Sequence, residues 1–142
     1  MPRLLDLGAE GYLLKSVLRA VIAQRLVRVL CDRCKTPRKL TTQNLADDPR
    51  FGMVGFAAGD VVHEACGCER CGGSGYRGRA GVFEVLEITG DVRSLVGAQS
   101  DANSLDEAAI KSGMTTMLDD AVAKCRAGIT TVPETLRVTT VR

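Results

Sequence analysis

Apolar residues recur at helical spacing along residues 11–24, GYLLKSVLRAVIAQ. Leu14, Val17, Leu18, Val21 and Ile22 fall near one face, which predicts an amphipathic helix. The next six residues, RLVRVL at 25–30, change period and read as a short strand ending at a cysteine turn. A second alternating run, AGVFEVLEI at 80–88, puts Val82, Glu84, Leu86 and Ile88 on one face and Phe83, Val85 and Glu87 on the other. Between the two runs, residues 31–79 are rich in Gly, Pro and Asp and have little apolar periodicity. The simplest topology is an antiparallel strand pair whose connecting loop has been expanded into a module. So long an irregular stretch is expected only if something other than an apolar core orders it.

After residue 90 the pattern turns helical. Asp91 is placed to cap a short helix through Ala98. Ser104 and Glu107 form a capping box for a helix that stops at Gly113. A third helix is predicted from Thr116 to Ala127, with Leu118, Val122 and Cys125 on its apolar face and Gly128 as its stop. Thr131 and Glu134 make another capping box, with Pro133 in the first turn, where a missing amide costs nothing. The fold class is α+β: an antiparallel strand pair carrying an inserted tetracysteine module, then a small C-terminal helical bundle.

The chemistry sits in that module. Cys31 and Cys34 stand in CDRC, and Cys68 and Cys71 stand in CERC. Each C-x-x-C turn directs two thiolates at one point, and two such turns make a tetrahedral S4 cage, the geometry of structural zinc. Sulfur-only ligation argues against magnesium, calcium and manganese, which want oxygen. A redox dithiol needs a single C-x-x-C at a helix start after a strand, and that pattern is absent here. The pairs are separated by 33 residues, so the site closes a large loop. The metal ligands are therefore expected to be Cys31, Cys34, Cys68 and Cys71, holding structural Zn2+ with no open position for catalysis. Cys66, in ACGC, is a competing thiol, and Cys125 reads as a small core residue.

Composition narrows the remaining choices. The chain has 142 residues, 45% hydrophobic, but only 4% aromatic and no Trp, so its core is aliphatic. Net charge is +2, unevenly spread: residues 1–40 hold 9 Lys/Arg against 3 Asp/Glu, and the remainder is acidic on balance. A basic patch suits an acidic partner, a nucleotide phosphate or anionic lipid, or is simply a solvated helix face. No signal-peptide pattern opens the sequence and no window is apolar enough to span a membrane, so a cytosolic setting is expected, where paired cysteines bind metal. His63 is the single histidine and has no triad around it. Asp47–Asp48 and Asp119–Asp120 are adjacent pairs that cannot share a helix face, and the latter is expected to be solvated. The run GGSGYRGRAG at 72–81 lacks the Lys of a phosphate loop, although Arg77 and Arg79 are placed to reach a phosphate or an acidic partner.

Three segments, RLLDLGAEGYLLKSVLRAVIAQRLVRVLC, CERCGGSGYRGRAGVFEVLEI and GMTTMLDDAVAKCRAGITTVPETLRV, resemble the C-terminal part of the secretion and pilus-assembly ATPases, most closely the type II secretion ATPase. The resemblance spans nearly the whole chain. It implies that residues 1–30 end an ATPase-domain core, 31–79 are the inserted zinc module, and 80–142 are a returning strand with a C-terminal helical part. It implies a hexameric parent motor using ATP and Mg2+, cytoplasmic and peripheral to the inner membrane. Its expected partners are the membrane platform and cytoplasmic components of the secretion machine and other ATPase subunits. Walker A and B segments are missing, so the chain reads as a fragment with no catalytic or nucleotide-binding residues and no ATP hydrolysis of its own. A type IV pilus ATPase fragment is the near alternative. A J-domain co-chaperone module fits only CERCGGSG, and a zinc-ribbon nucleic-acid binder would need basic and aromatic residues around the metal, whereas residues 41–71 are acidic on balance. No nucleic-acid partner is expected.

Overall fold

In a computed structural model, residues 2–96 and 102–139 are described. Eight helices and four strands follow one another among them: α1 (Pro2–Asp6), α2 (Gly11–Val17), β1 (Ala20–Leu30), β2 (Lys35–Lys39), α3 (Thr42–Asp47), α4 (Arg50–Met53), β3 (Val61–Ala65), β4 (Tyr76–Glu87), α5 (Gly90–Leu95), α6 (Ala102–Lys111), α7 (Met117–Arg126) and α8 (Val132–Thr139). A 3-10 turn, Glu69–Cys71, precedes β4. The chain forms two compact units, Met1–Ala23 with Glu84–Thr116, and Gln24–Phe83 with Met117–Arg142. None of the described helices is long and apolar enough to cross a membrane.

β1 pairs with β4, and β2 pairs with β3. The first pair is antiparallel: Cys31 N–H bonds Gly75 O beyond one end, and Ile88 N–H bonds Arg19 O beyond the other. Gly78 within β4 has φ +83°. That left-handed φ is one a glycine adopts without steric cost. Beyond Gly78, Val82 faces inward while Phe83 and Val85 are exposed, as the alternation predicted.

In the first unit the predicted helix over 11–24 stops early. α2 ends at Val17, Leu18 is already extended, and the chain enters β1 at Ala20. Helical period and β-propensity compete over residues 18–24, and pairing with the far end of β4 decides the contest. Leu14, Ile88, Val92 and Val96 make the core, with Leu18 and Leu86 against it. Arg93 reaches back from α5 to the carbonyls of Lys15 and Ile88, closing orphan acceptors at the end of α2 and of the strand. Thr89, not Asp91, holds the N-cap position of α5, and the expected continuation through residues 97–98 lies outside the described residues. Ser104 lies inside α6, which starts at Ala102, so it is not the cap expected of it.

The second unit has two apolar clusters. Val27, Val82, Ala121 and Val138 pack the inner face of the ribbon against α7 and α8. Leu40, Phe51, Val54, Phe56 and Val62 form the other, closed by Cys125 and Val132. The stretch 31–79 thus contributes to an apolar core that it shares with α7 and α8. Its periodicity was invisible because the elements are short, with α3 and α4 only 6 and 4 residues long. Burying each of these side chains is worth roughly 1.5–3 kcal/mol. Thr41 caps α3 in a reciprocal box with Asn44 that the sequence reading missed.

A two-stranded ribbon leaves backbone groups open along both edges. Here side chains and a turn cover the outer edge of β1. Leu30 N–H bonds Ile129 O at 2.8 Å, the Thr130 hydroxyl donates to Arg28 O at 2.9 Å, and Arg137 donates to Leu26 O at 3.2 Å. Arg28 N–H donates to Glu134 Oε2 at 3.0 Å. The Glu134 carboxylate also pairs with the guanidinium groups of Arg28 and Arg137 at 2.8 and 2.9 Å, with its side chain 2% exposed. The capping box expected at α8 is therefore half present: the Thr131 hydroxyl accepts from Glu134 N–H at 3.4 Å, but the Glu134 side chain turns to β1. On β4, Phe83 N–H donates to Asp120 at 2.8 Å, and Lys124 pairs with the same carboxylate. Asp120 is thus a strand-edge acceptor and not the solvated residue expected.

Burial pushes the Glu134 acid upward, but Arg137 and Arg28 outweigh it and hold its pKa at about 2. A carboxylate depressed on folding stabilises the native state above its ordinary pKa, and that contribution drains away as pH falls through the folded value. Glu134→Gln should cost about 2–3 kcal/mol near pH 7. In urea unfolding series, the gap between the parent and this variant should close between about pH 5 and pH 2; a gap independent of pH contradicts the assignment.

Candidate metal centre

Cys31 follows the last residue of β1, and the chain turns at once. Cys34 N–H and Lys35 N–H both bond Cys31 O, at 3.1 and 2.9 Å, which folds CDRC back on itself. Cys68 precedes the 3-10 turn, where Cys71 N–H bonds Cys68 O at 3.1 Å and Gly73 N–H bonds the same oxygen at 2.9 Å. The antiparallel ribbon then sets the turns face to face, because Cys31 and Gly75 are hydrogen-bonded at its end.

The four Sγ atoms all lie within 4.8 Å of one another. Cys31 to Cys68 is 3.8 Å, Cys34 to Cys71 is 3.9 Å, and Cys68 to Cys71 is 3.8 Å. A tetrahedron with metal–sulfur bonds of ~2.3 Å has edges of about 3.8 Å. The cluster thus has the dimensions of a closed S4 site, close enough to hold one metal ion and compatible with zinc. Two amides also point at Cys71 Sγ, from Cys68 N at 3.1 Å and Gly75 N at 3.2 Å. N–H donors aimed at sulfur favour thiolate, the form a metal requires. Desolvation raises both Cys34 and Cys71. At Cys71 the amides and neighbouring thiols outweigh it and bring the pKa down to about 6, whereas at Cys34 the neighbouring thiols add to it and carry the value up to about 12.

Gly75 is fixed by this arrangement. Its φ is +74°, its amide serves Cys71, and a Cβ there would lie 2.6 Å from the Ala65 side chain. Cys66 is exposed and outside the cluster, with its sulfur 3.1 Å from the Thr36 hydroxyl. Cys125 is 1% exposed among apolar neighbours, and burial pushes its thiol up to about 11, in keeping with a core role. His63 stands on β3, partly buried, with Nδ1 lacking a hydrogen-bond partner among the described residues. Asp48 pairs with Arg50, and Asp47 accepts from Gln43, so the acidic pair 47–48 is divided between separate partners. Arg77 and Arg79 are exposed. The polar group that sequence reasoning missed is Arg28–Glu134–Arg137; its only trace is the i,i+3 spacing of Glu134 and Arg137, since the third member lies 106 residues away.

The family described as Type II/IV secretion system protein matches residues 1–137. The chain is 41% identical over 139 residues to type II secretion system protein E of Pseudomonas aeruginosa, covering 96% of this chain and 26% of that protein. It is 34% identical to the type II secretion system ATPase E of Vibrio cholerae, with 96% and 26% covered. It is 36% identical to the type IV pilus assembly ATPase PilB of Thermus thermophilus, over 94% of this chain and 15% of that protein. The chain belongs to the type II/IV secretion system protein family. It spans about a quarter or less of the length of these relatives.

Gly75→Ala should destabilise the protein by about 2–3 kcal/mol, through a strained φ and the contact with Ala65. Equilibrium unfolding in urea checks this; a change under about 0.5 kcal/mol would show that the close approach at Ala65 relaxes freely.

Proposed function

We propose that this chain is the C-terminal, zinc-stapled part of a motor ATPase for type II secretion, and that it serves the assembly and docking of the motor. The observation that carries the reading is the S4 cluster at tetrahedral spacing within a chain of this family. Cys31, Cys34, Cys68 and Cys71 would hold Zn2+, which with four protein ligands supplies structure and leaves no position for water. The residue ranges 1–30, 31–79 and 80–142 serve as core end, inserted module and returning strand with helices.

The metal acts on the two turns. The hairpin β2–β3 and the cluster around Phe51 have packing of their own, so zinc's folding energy goes into fixing residues 31–34 and 66–75. This presents a rigid surface to other components of the machine: the inner-membrane platform, its cytoplasmic partners and neighbouring ATPase subunits in a ring. The chain itself carries no phosphoryl-transfer machinery; ATP and Mg2+ belong to the parent motor on the cytoplasmic side of the inner membrane. The similarity to the Thermus thermophilus pilus ATPase supports a second reading, in which the motor assembles a type IV pilus.

Purified under reducing conditions, the chain should contain about one zinc per molecule, lost on Cys31→Ser or Cys68→Ser and kept on Cys66→Ser. Because ligating thiols must be deprotonated, zinc should dissociate as pH falls below about 5–6. The functional test is a segment exchange. This chain, placed in the Pseudomonas aeruginosa secretion protein in place of its matching segment, should restore secretion to a strain lacking that protein, and the Cys31→Ser exchange should not. Restoration of piliation alone, in the matching exchange with the Thermus thermophilus protein, would favour the pilus reading; failure of both would overturn the motor reading.

A further inference from the structure

A cleft of about 330 Å3 opens on the outer face of the ribbon, lined by Leu26, Arg28, Arg79 and Arg137. Three arginines line one small volume. The only carboxylate bonded to any of them, among the described residues, is Glu134, which lies beneath with its side chain 2% exposed. Arg28 and Arg137 are 52% and 55% exposed, so each fork is held from below while its remaining donors face solvent. Arg28 is further fixed over the Tyr76 ring, 4.1 Å from its centroid, and the Tyr76 hydroxyl is bonded to Thr131 at 2.9 Å. The Arg79 side chain is exposed and carries no hydrogen bond or ion pair among the described residues.

This is more than a solvated basic patch. Like charges gathered at a surface repel unless something compensates them, and one buried carboxylate leaves the group with a surplus of positive charge. Arginine side chains already locked in orientation lose little entropy when an anion arrives. Leu26, 45% exposed, gives the cleft an apolar floor, which suits a carboxylate carried on an aliphatic stem. We propose that the cleft formed by Arg28, Arg79 and Arg137 over Leu26 is a docking site for an acidic protein segment, in which Asp or Glu side chains alternate with aliphatic ones. Glu134 acts as a positioning residue: it orients two arginines for an external carboxylate as it holds them for its own. The site uses none of the cysteines and is independent of the motor reading, since the test below uses this chain alone.

The test is fluorescence anisotropy with a labelled decapeptide of alternating Glu and Leu, titrated with the full chain at low salt. Saturable binding that weakens as salt rises is expected, with none for the peptide in which Gln replaces Glu. Arg79→Glu should weaken binding at least tenfold, a loss of about 1.4 kcal/mol or more. It disturbs no internal bond, and its unfolding curve should match the parent's. Arg33→Glu, the same charge change on the first cysteine turn, should leave the affinity within about twofold. Equal weakening by both variants would reduce the effect to net charge and overturn the proposal. Binding of the Gln peptide, or binding of sodium pyrophosphate without binding of the Glu peptide, would overturn it as well, the last result making the cleft a phosphate site.

Discussion

A two-stranded ribbon cannot satisfy its own edges, and the architecture of the second unit answers that constraint. The outer edge of β1 meets Ile129, Thr130, Glu134 and Arg137, which together supply what a third strand would have supplied. Asp120 does the same for the amide of Phe83 on β4. The helices α7 and α8 thereby do two things at once. Their apolar sides bury Val27 and Val82, and their polar side chains complete the sheet. The cysteine turns depend on this indirectly, because it is the ribbon's end, at the Cys31–Gly75 bond, that brings the two turns within reach of one ion.

Fastening extends beyond the ribbon. The Lys35 ammonium donates to Gly128 O at 2.9 Å, tying the first cysteine turn to the segment between α7 and α8. Arg126 lies over the Phe56 ring, 4.4 Å from its centroid, and bonds Asp60 and Gly55 O, which ties α7 to the loop before β3. The cysteine module is therefore held on three sides: by thiols, by an apolar cluster that includes Cys125 and Val132, and by cations reaching backbone carbonyls. Such redundancy explains how a segment with few long elements keeps a defined shape.

Much of this was legible in the sequence where the cause is local. The cysteine spacing, the alternation through Val82 and Phe83, the extent of α7 and the burial of Cys125 all follow from short-range patterns. What was not legible is of two kinds. Over residues 18–24 the helical period of Leu14, Val17, Leu18 and Val21 was genuine but lost to pairing with a strand more than sixty residues away, which no local window contains. The role of Glu134 was misread for the same reason: a Thr-x-x-Glu pattern announces a cap, and nothing nearby announces Arg28. The core around Phe51 was hidden because a hairpin and two very short helices leave no period long enough to register.

The separation of Arg28 from Glu134 also imposes an order in time. On a ribosome β1 emerges 106 residues before the carboxylate that closes its edge. At ~5–20 residues per second that interval is on the order of 5–20 s. Through it the nascent chain presents an open strand edge beside apolar Leu26 and Val27, the kind of template on which chains associate wrongly. Arg25 and Arg28 flank those two residues, and their charge keeps like chains apart during the wait. The arginines that lock the finished fold thus first serve as guards of the unfinished one.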